Sequence, residues 1–214
     1  MRKILVFAAV GVFAALASAV ACSGESMIPK GHDIQASMPE GYPSAVFAGG
    51  CFWCTESEFR GLNGVLFTRV GYSGGKTEHP DYKSVSGGET GHAESTEVTY
   101  DPKKISYRDL VVHFMTRAHN PTELNRQGPD VGTQYRSILF YGNEEEKKIA
   151  QDVIAELTAQ KKFKKPIVTE LQPRGAFWEA EDYHQQYYEK YEEKNGVPPI
   201  QFMAREAVKK KAGE

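Results

Sequence analysis

The stretch Ser44-Ala45-Val46-Phe47-Ala48 is a short apolar run that stops at Gly49-Gly50 and passes at once into Cys51-Phe52-Trp53-Cys54-Thr55-Glu56. A run of that length bounded by glycines reads as a buried strand. Two glycines let the chain turn sharply, and a helix is expected from near Cys51 through Glu58 and Phe59. No other segment of the 214 residues narrows the fold as much, because it delivers a cysteine from a strand to the head of a helix. Free N–H groups and aligned peptide dipoles favour negative charge there, so the expectation is a stabilised thiolate at Cys51. Cys54 falls one helical turn on.

Downstream, Val65 to Tyr72 is rich in β-branched and aromatic residues and reads as a second strand. Residues 76–92 are polar and glycine-rich and read as a long loop. Glu94 to Tyr100 alternates, with Ser95, Glu97 and Thr99 on one face, which predicts a half-buried strand. Ser106 with Asp109 caps a helix whose stripe is Leu110, Val111 and Phe114, and Asn120-Pro121 ends it. A polar loop spans 125–134, and Ser137 to Tyr141 is a strand. Asn143 caps a helix carrying Ile149, Val153, Ile154 and Leu157 on one side. A strand is expected at Ile167 to Leu171 and a Tyr-rich helix from Glu179 to Lys194. Strands and helices mix without strict βαβ alternation, so the fold class is α+β: one domain, a mixed β-sheet with helices packed on it.

The chain divides into four stretches. Residues 1–21 join a basic start (Arg2, Lys3) to an apolar run and then small residues, the order of a secretory signal peptide. Residues 22–41 read as a linker, lipid-anchored if Cys22 is the acylated N-terminus of an exported lipoprotein; the alternative is cleavage after Ala21, leaving Cys22 a free thiol. Residues 42–196 form the catalytic domain, and 197–214 an irregular or frayed tail. The expected location is the periplasm or cell envelope, an oxidising compartment. A net charge of -2 carries no nucleic-acid footprint. No metal, cofactor or nucleic-acid partner is expected, and the domain is expected to act as a monomer.

A Cys-x-x-Cys pair can be a structural disulfide, half a zinc site or a redox dithiol. No second Cys-x-x-Cys or His pair supplies further zinc ligands, so a redox dithiol is the better reading. Spacing alone fits a general thiol-disulfide oxidoreductase. Phe52-Trp53 between the cysteines instead places two large aromatics beside the nucleophile, an apolar wall suited to a methyl group. Taken singly, Glu94 is a strand-end carboxylate, Tyr82 and Tyr135 are packing residues, and Asp130 is a turn residue. His92 and His184 read as structural, and the Tyr-rich 183–191 segment as a packing face.

Gly50-Cys51-Phe52-Trp53 resembles the signature of the methionine sulfoxide reductase A family, in its Gly-Cys-Phe-Trp-Cys subset. So do Tyr72-Ser73-Gly74-Gly75, Thr90-Gly91-His92-Ala93-Glu94, Gly132-Thr133-Gln134-Tyr135-Arg136-Ser137 and Phe177-Trp178-Glu179, in family order. The resemblance implies a two-layer sandwich that reduces peptide-methionine (S)-S-oxide. It implies Cys51 as nucleophile, Phe52 and Trp53 as the methyl-binding walls, and Glu94 as the acid that protonates the sulfoxide oxygen. Tyr82 and Tyr135 would donate hydrogen bonds to that oxygen, with Asp130 in the same polar network. Many members resolve with a cysteine in a C-terminal tail, but residues 195–214 contain none, which leaves Cys54. The partners implied are methionine sulfoxide, free or in proteins, and a thioredoxin-like reductant.

Overall fold

A computed structural model describes residues 26–28 and 34–212. The expected signal peptide, residues 1–21, and Cys22 lie outside the described residues. No helix among the described residues is long and apolar enough to cross a membrane.

β1 (Ser44–Gly49), β2 (Val65–Ser73) and β3 (Ala93–Tyr100) fall on the apolar and β-branched runs that predict them. β4 (Arg126–Gln127) and β5 (Asp130–Val131) make a small separate hairpin. β6 (Ser137–Tyr141), β7 (Glu170–Pro173) and β8 (Trp178–Glu179) complete a six-stranded sheet of order β7-β6-β1-β3-β2-β8. β6 and β7 run parallel and every other neighbouring pair antiparallel, so the sheet is mixed. This is the expected α+β class.

Helices cover one face of that sheet. α1 (Phe52–Arg60), α2 (Tyr82–Ser86), α3 (Tyr107–His113) and α4 (Glu144–Ala159) precede α5 (Tyr187–Asn195) and α6 (Ile200–Ala212). Phe47, Val98 and Leu139 on the sheet meet Phe59 of α1, Leu110 and Val111 of α3, and Val153 and Leu157 of α4. Ser106 and Asp109 form the expected capping box of α3. A five-residue π-helical segment, Phe114–Ala118, extends α3 before the chain leaves the helix at His119. Phe59 is fully buried and stacks on Phe47 with centroids 4.7 Å apart. Phe59→Ala should cost about 3–5 kcal/mol of unfolding free energy. Urea titration of variant and native protein measures it, and a loss under ~1 kcal/mol would mean α1 is not held by this contact.

Several local expectations need correction. β3 is buried on both faces, not half-buried. Its Glu97 carboxylate pairs with Arg69 and Arg174, and neutralisation of that kind lets the polar face go under cover. The loop at 76–92 contains α2, started by a capping box between Asp81 and Ser84. The strand expected at 167–171 begins only at Glu170, because Val168 N–H bonds the Pro121 carbonyl instead of the ladder. The helix expected from 179 starts at Tyr187. Gln185 turns its side chain back onto Val70 N, Val70 O and Ala180 O, and Gln186 takes a left-handed φ of 52°, so helix cannot propagate through them.

The tail at 197–214 is not irregular: α6 fills most of it. Pro199 stands just before α6: its O accepts the first helical bond, from Met203 N–H, and at that position proline forfeits no helical N–H bond. α6 docks through Phe202, buried against Tyr188 and Ile28. Part of the expected linker is docked as well. Ile28 is 1% exposed, Met27 N–H bonds Glu192, and Gln35 N–H bonds the Leu66 carbonyl.

Candidate active site

β1 ends at Gly49, and Gly50 swings the chain into α1 at φ +89°. A side chain there would meet the Gln127 side chain at 2.5 Å, so both the turn and the close approach of the β4–β5 hairpin require glycine. Cys51 is the N-cap residue of α1, and Phe52, Trp53 and Cys54 form its first turn. Antiparallel pairing sets Tyr72 of β2 opposite Glu94 of β3. Side chains alternate along a strand, so Glu94 shares the helix-facing side with Thr96 and Val98 and points at the head of α1. Thr96 completes the docking through a 2.7 Å hydroxyl contact with Thr55.

The result is a cavity of about 800 Å³. Cys51, Cys54, Phe52, Trp53 and Glu94 line it from the sheet and α1. Tyr82 reaches it from the start of α2, Asp130 from the hairpin, and Tyr135 from the 3-10 turn after it. All eight site residues expected among the described residues therefore share one space. Cys22 lies outside the described residues.

The apolar wall is packed on several sides. Phe52 is 1% exposed and packs on Tyr72 and His184. Trp53 stacks on Tyr187 at 3.9 Å and donates its indole N–H to His184 Nδ1 at 3.1 Å. Burial holds the His184 pKa below its usual value, which keeps the imidazole neutral and able to accept. The structural reading of His184 thus gains a definite job, fixing the tryptophan.

Opposite that wall, Glu94 Oε2 accepts the Phe52 N–H at 3.0 Å. The Phe52 amide at the helix head is thus taken by this carboxyl. Glu94 is 2% exposed, and burial outweighs that hydrogen bond, raising its pKa to about 8. At neutral pH it keeps its proton, with one oxygen held by α1 and the other available to the cavity. Burial also raises the pKa values of Tyr82, Tyr135 and Asp130. The two phenols therefore remain O–H donors.

Both cysteines are free thiols, not a disulfide. Their charge distribution corrects the expectation of a resting thiolate at Cys51. The hydrogen bond with Cys54, followed by burial, holds Cys51 well above the ordinary thiol range. The same hydrogen bond lowers Cys54 to about 6, helped by the Arg205 charge and Tyr188. Tyr188 and Arg205 went unread in the sequence. Tyr188 lay in a segment assigned to packing, and Arg205 in one expected to be frayed. The Pro198-Pro199 pair followed by Ile200 and Phe202 was the available sign of a docking helix. No cluster of three or more potential metal ligands exists among the described residues.

A family model described as peptide methionine sulfoxide reductase matches residues 43–214. The peptide methionine sulfoxide reductase MsrA of Deinococcus radiodurans is 54% identical over 144 residues, which cover 67% of this chain and 69% of that protein. Among solved structures, Mxr1 of Saccharomyces cerevisiae in reduced form superposes with a TM-score of 0.67 at 36% identity, covering 72% of this chain and 88% of the yeast one. The same yeast protein in complex with Trx2 gives 0.50 at 25% identity, over 71% and 88% of the two chains.

Proposed function

The chain belongs to the peptide methionine sulfoxide reductase A family, and on that premise we propose that it reduces the (S)-epimer of methionine sulfoxide to methionine by attack of Cys51 on the sulfoxide sulfur. The observation that carries this reading is the shared cavity of Cys51 and the buried Glu94 carboxyl, walled by Phe52 and Trp53.

A sulfoxide sulfur becomes a good electrophile only when its oxygen is polarised. In the proposed binding mode the methyl group lies against Phe52 and Trp53. The oxygen points at Glu94, Tyr82 and Tyr135, with Asp130 in the same polar network. Attack by the Cys51 sulfur while Glu94 protonates the oxygen releases the thioether and leaves sulfenic acid on Cys51. Cys54 then displaces water to form the Cys51–Cys54 disulfide, and a thioredoxin-like protein reduces it. The complex of a family member, yeast Mxr1, with Trx2 supports that last partner.

The test is a stereodefined sulfoxide assay with dithiothreitol and with thioredoxin, run on native protein and Cys54→Ser. The native protein should turn over repeatedly on the (S)-epimer. Cys54→Ser should reduce about one sulfoxide per enzyme and stall as sulfenic acid, visible as a gain of one oxygen by intact mass. Full multiple turnover of Cys54→Ser with thioredoxin would remove the resolving role. Reduction of insulin disulfides without any sulfoxide activity would overturn the whole reading in favour of general thiol-disulfide exchange.

The proposed site of action is the cell envelope. The support is the basic, apolar, then small-residue order of residues 1–21, with Cys22 immediately after. Intact mass of the mature N-terminus separates a lipidated Cys22 from simple cleavage and from an unprocessed chain.

A further inference from the structure

Cys54 sits in a built environment that the resolving role alone does not call for. Tyr188 Oη lies 3.0 Å from Cys54 Sγ. Burial keeps the Tyr188 proton in place, so the phenol donates to the sulfur. Arg205 reaches in from α6, donating Nη1–H to the Cys54 carbonyl at 2.9 Å and Nη2–H to Glu58 at 2.6 Å. Cys51, in the same cavity, is the neighbour that lowers Cys54 most. The acidic groups facing this pair are Asp130 from the hairpin and Glu94 from β3, besides Glu58 and Glu206, which pair with Arg205. Both Asp130 and Glu94 are shifted toward their neutral forms. The cationic and donor groups are therefore gathered around Cys54, and the neutral acid around Cys51.

We propose that Tyr188 and Arg205 hold Cys54 as the resting thiolate, and that this thiolate takes the Cys51 proton as the Cys51 sulfur attacks the sulfoxide. The proposal rests on the sulfoxide reductase reading and gives Cys54 a part in the first chemical step. The atoms balance. The Cys51 proton moves to Cys54 while a bond forms from the Cys51 sulfur to the sulfoxide sulfur. Glu94 gives its proton to the oxygen, which passes to Cys51 as sulfenic acid while the thioether leaves. Sulfur of the substrate gains two electrons and sulfur of Cys51 loses two. Cys54 then attacks the Cys51 sulfur, and the parked proton leaves with the hydroxyl as water. The negative charge that began on Cys54 ends on Glu94. Arg205 is a positioning residue here, since it contacts the Cys54 backbone and supplies charge, whereas Tyr188 touches the reacting sulfur.

Rapid-quench measurement of the first turnover in the full-length protein tests this. Cys54→Ala should slow the first sulfoxide reduction by about 10²-fold, the scale of a lost proton acceptor. A Cys54 that only resolves would leave that rate at the native value, and such a result overturns the proposal. In a Cys51→Ser background, whose hydroxyl can still donate to Cys54, the pH midpoint for Cys54 alkylation by iodoacetamide should lie below that of an ordinary thiol. It should rise by about one unit in Tyr188→Phe and in Arg205→Met, with Arg205→Lys recovering most of the shift. Midpoints unmoved by both substitutions would overturn it too. Native protein that fails to reduce any sulfoxide sinks the functional reading itself. Native protein that reduces sulfoxide while Cys54→Ala matches its first turnover sinks only this inference.

Discussion

Cys51→Ser is expected to abolish turnover, by roughly 10⁴–10⁶-fold, on the scale seen when a covalent catalyst loses its nucleophile. Two physical reasons combine. The serine hydroxyl is too weak an acid to supply the anion near neutral pH. More decisively, reduction of the sulfoxide needs two electrons and a place for the oxygen. Sulfur supplies both by becoming a sulfenic acid, whereas the serine oxygen has no comparable oxidised state. A folding defect will not imitate this loss. Cys51 is the N-cap of α1 and makes no side-chain capping bond, and serine is among the best N-cap residues. The thermal midpoint of Cys51→Ser should therefore equal or exceed that of the native protein. Sulfoxide conversion by the stereodefined assay, read beside circular dichroism melting, checks both parts. Measurable turnover by the serine variant would mean that another group attacks the sulfoxide.

Glu94→Gln should lower kcat/KM by about 10²–10⁴-fold, the range for removing a general acid. Glutamine keeps the shape and can still accept the Phe52 N–H, but it has no proton to give. The pH profile carries a separate signature. With Glu94 near 8 and Cys54 near 6, kcat/KM should rise on the acid side near 6 and fall on the alkaline side near 8. The variant should lose the alkaline limb. Stability should move the other way. The folded Glu94 pKa lies above the ordinary glutamate value of 4.5, so the folded state binds more protons between about 4.5 and 8. Stability of the native protein therefore falls as pH rises through that window, and the penalty is complete above it. Glu94→Gln should melt higher than native protein at pH 8.5 and show little advantage at pH 4.5. Glu56, raised to about 7 by burial, adds a fall of the same sign, but it is present in both proteins and cancels in the comparison. An alkaline limb that persists in the variant would assign that ionisation elsewhere.

Elements with local signals form where the sequence predicts them, and elements held by long-range contacts do not. The strand at Ser44–Gly49, the helix at Phe52–Arg60 and the capped helices at Ser106 and Asn143 carry local signals: apolar period, glycine turns and cap residues. The segment at 179–186 carried a helix-like composition. A long-range bond from Gln185 to Val70, 115 residues away, overrode it. α6 was missed for a similar reason, since its stability comes from docking Phe202 and Arg205 onto residues distant in sequence.

What the sequence determined by itself is an inventory: two cysteines one turn apart, the aromatic pair between them, and an ordered set of motifs whose family resemblance implies roles for Glu94, Tyr82, Tyr135 and Asp130. What only the tertiary structure decided is where protons and charge rest. The burial of Glu94 and the approach of Tyr188 and Arg205 to Cys54 are properties of a low-dielectric space enclosed by strands and helices from across the chain. Residue identity and spacing fix which groups can ionise, but ionisation depends on desolvation and on neighbours within a few ångströms, and those exist only once the chain has folded.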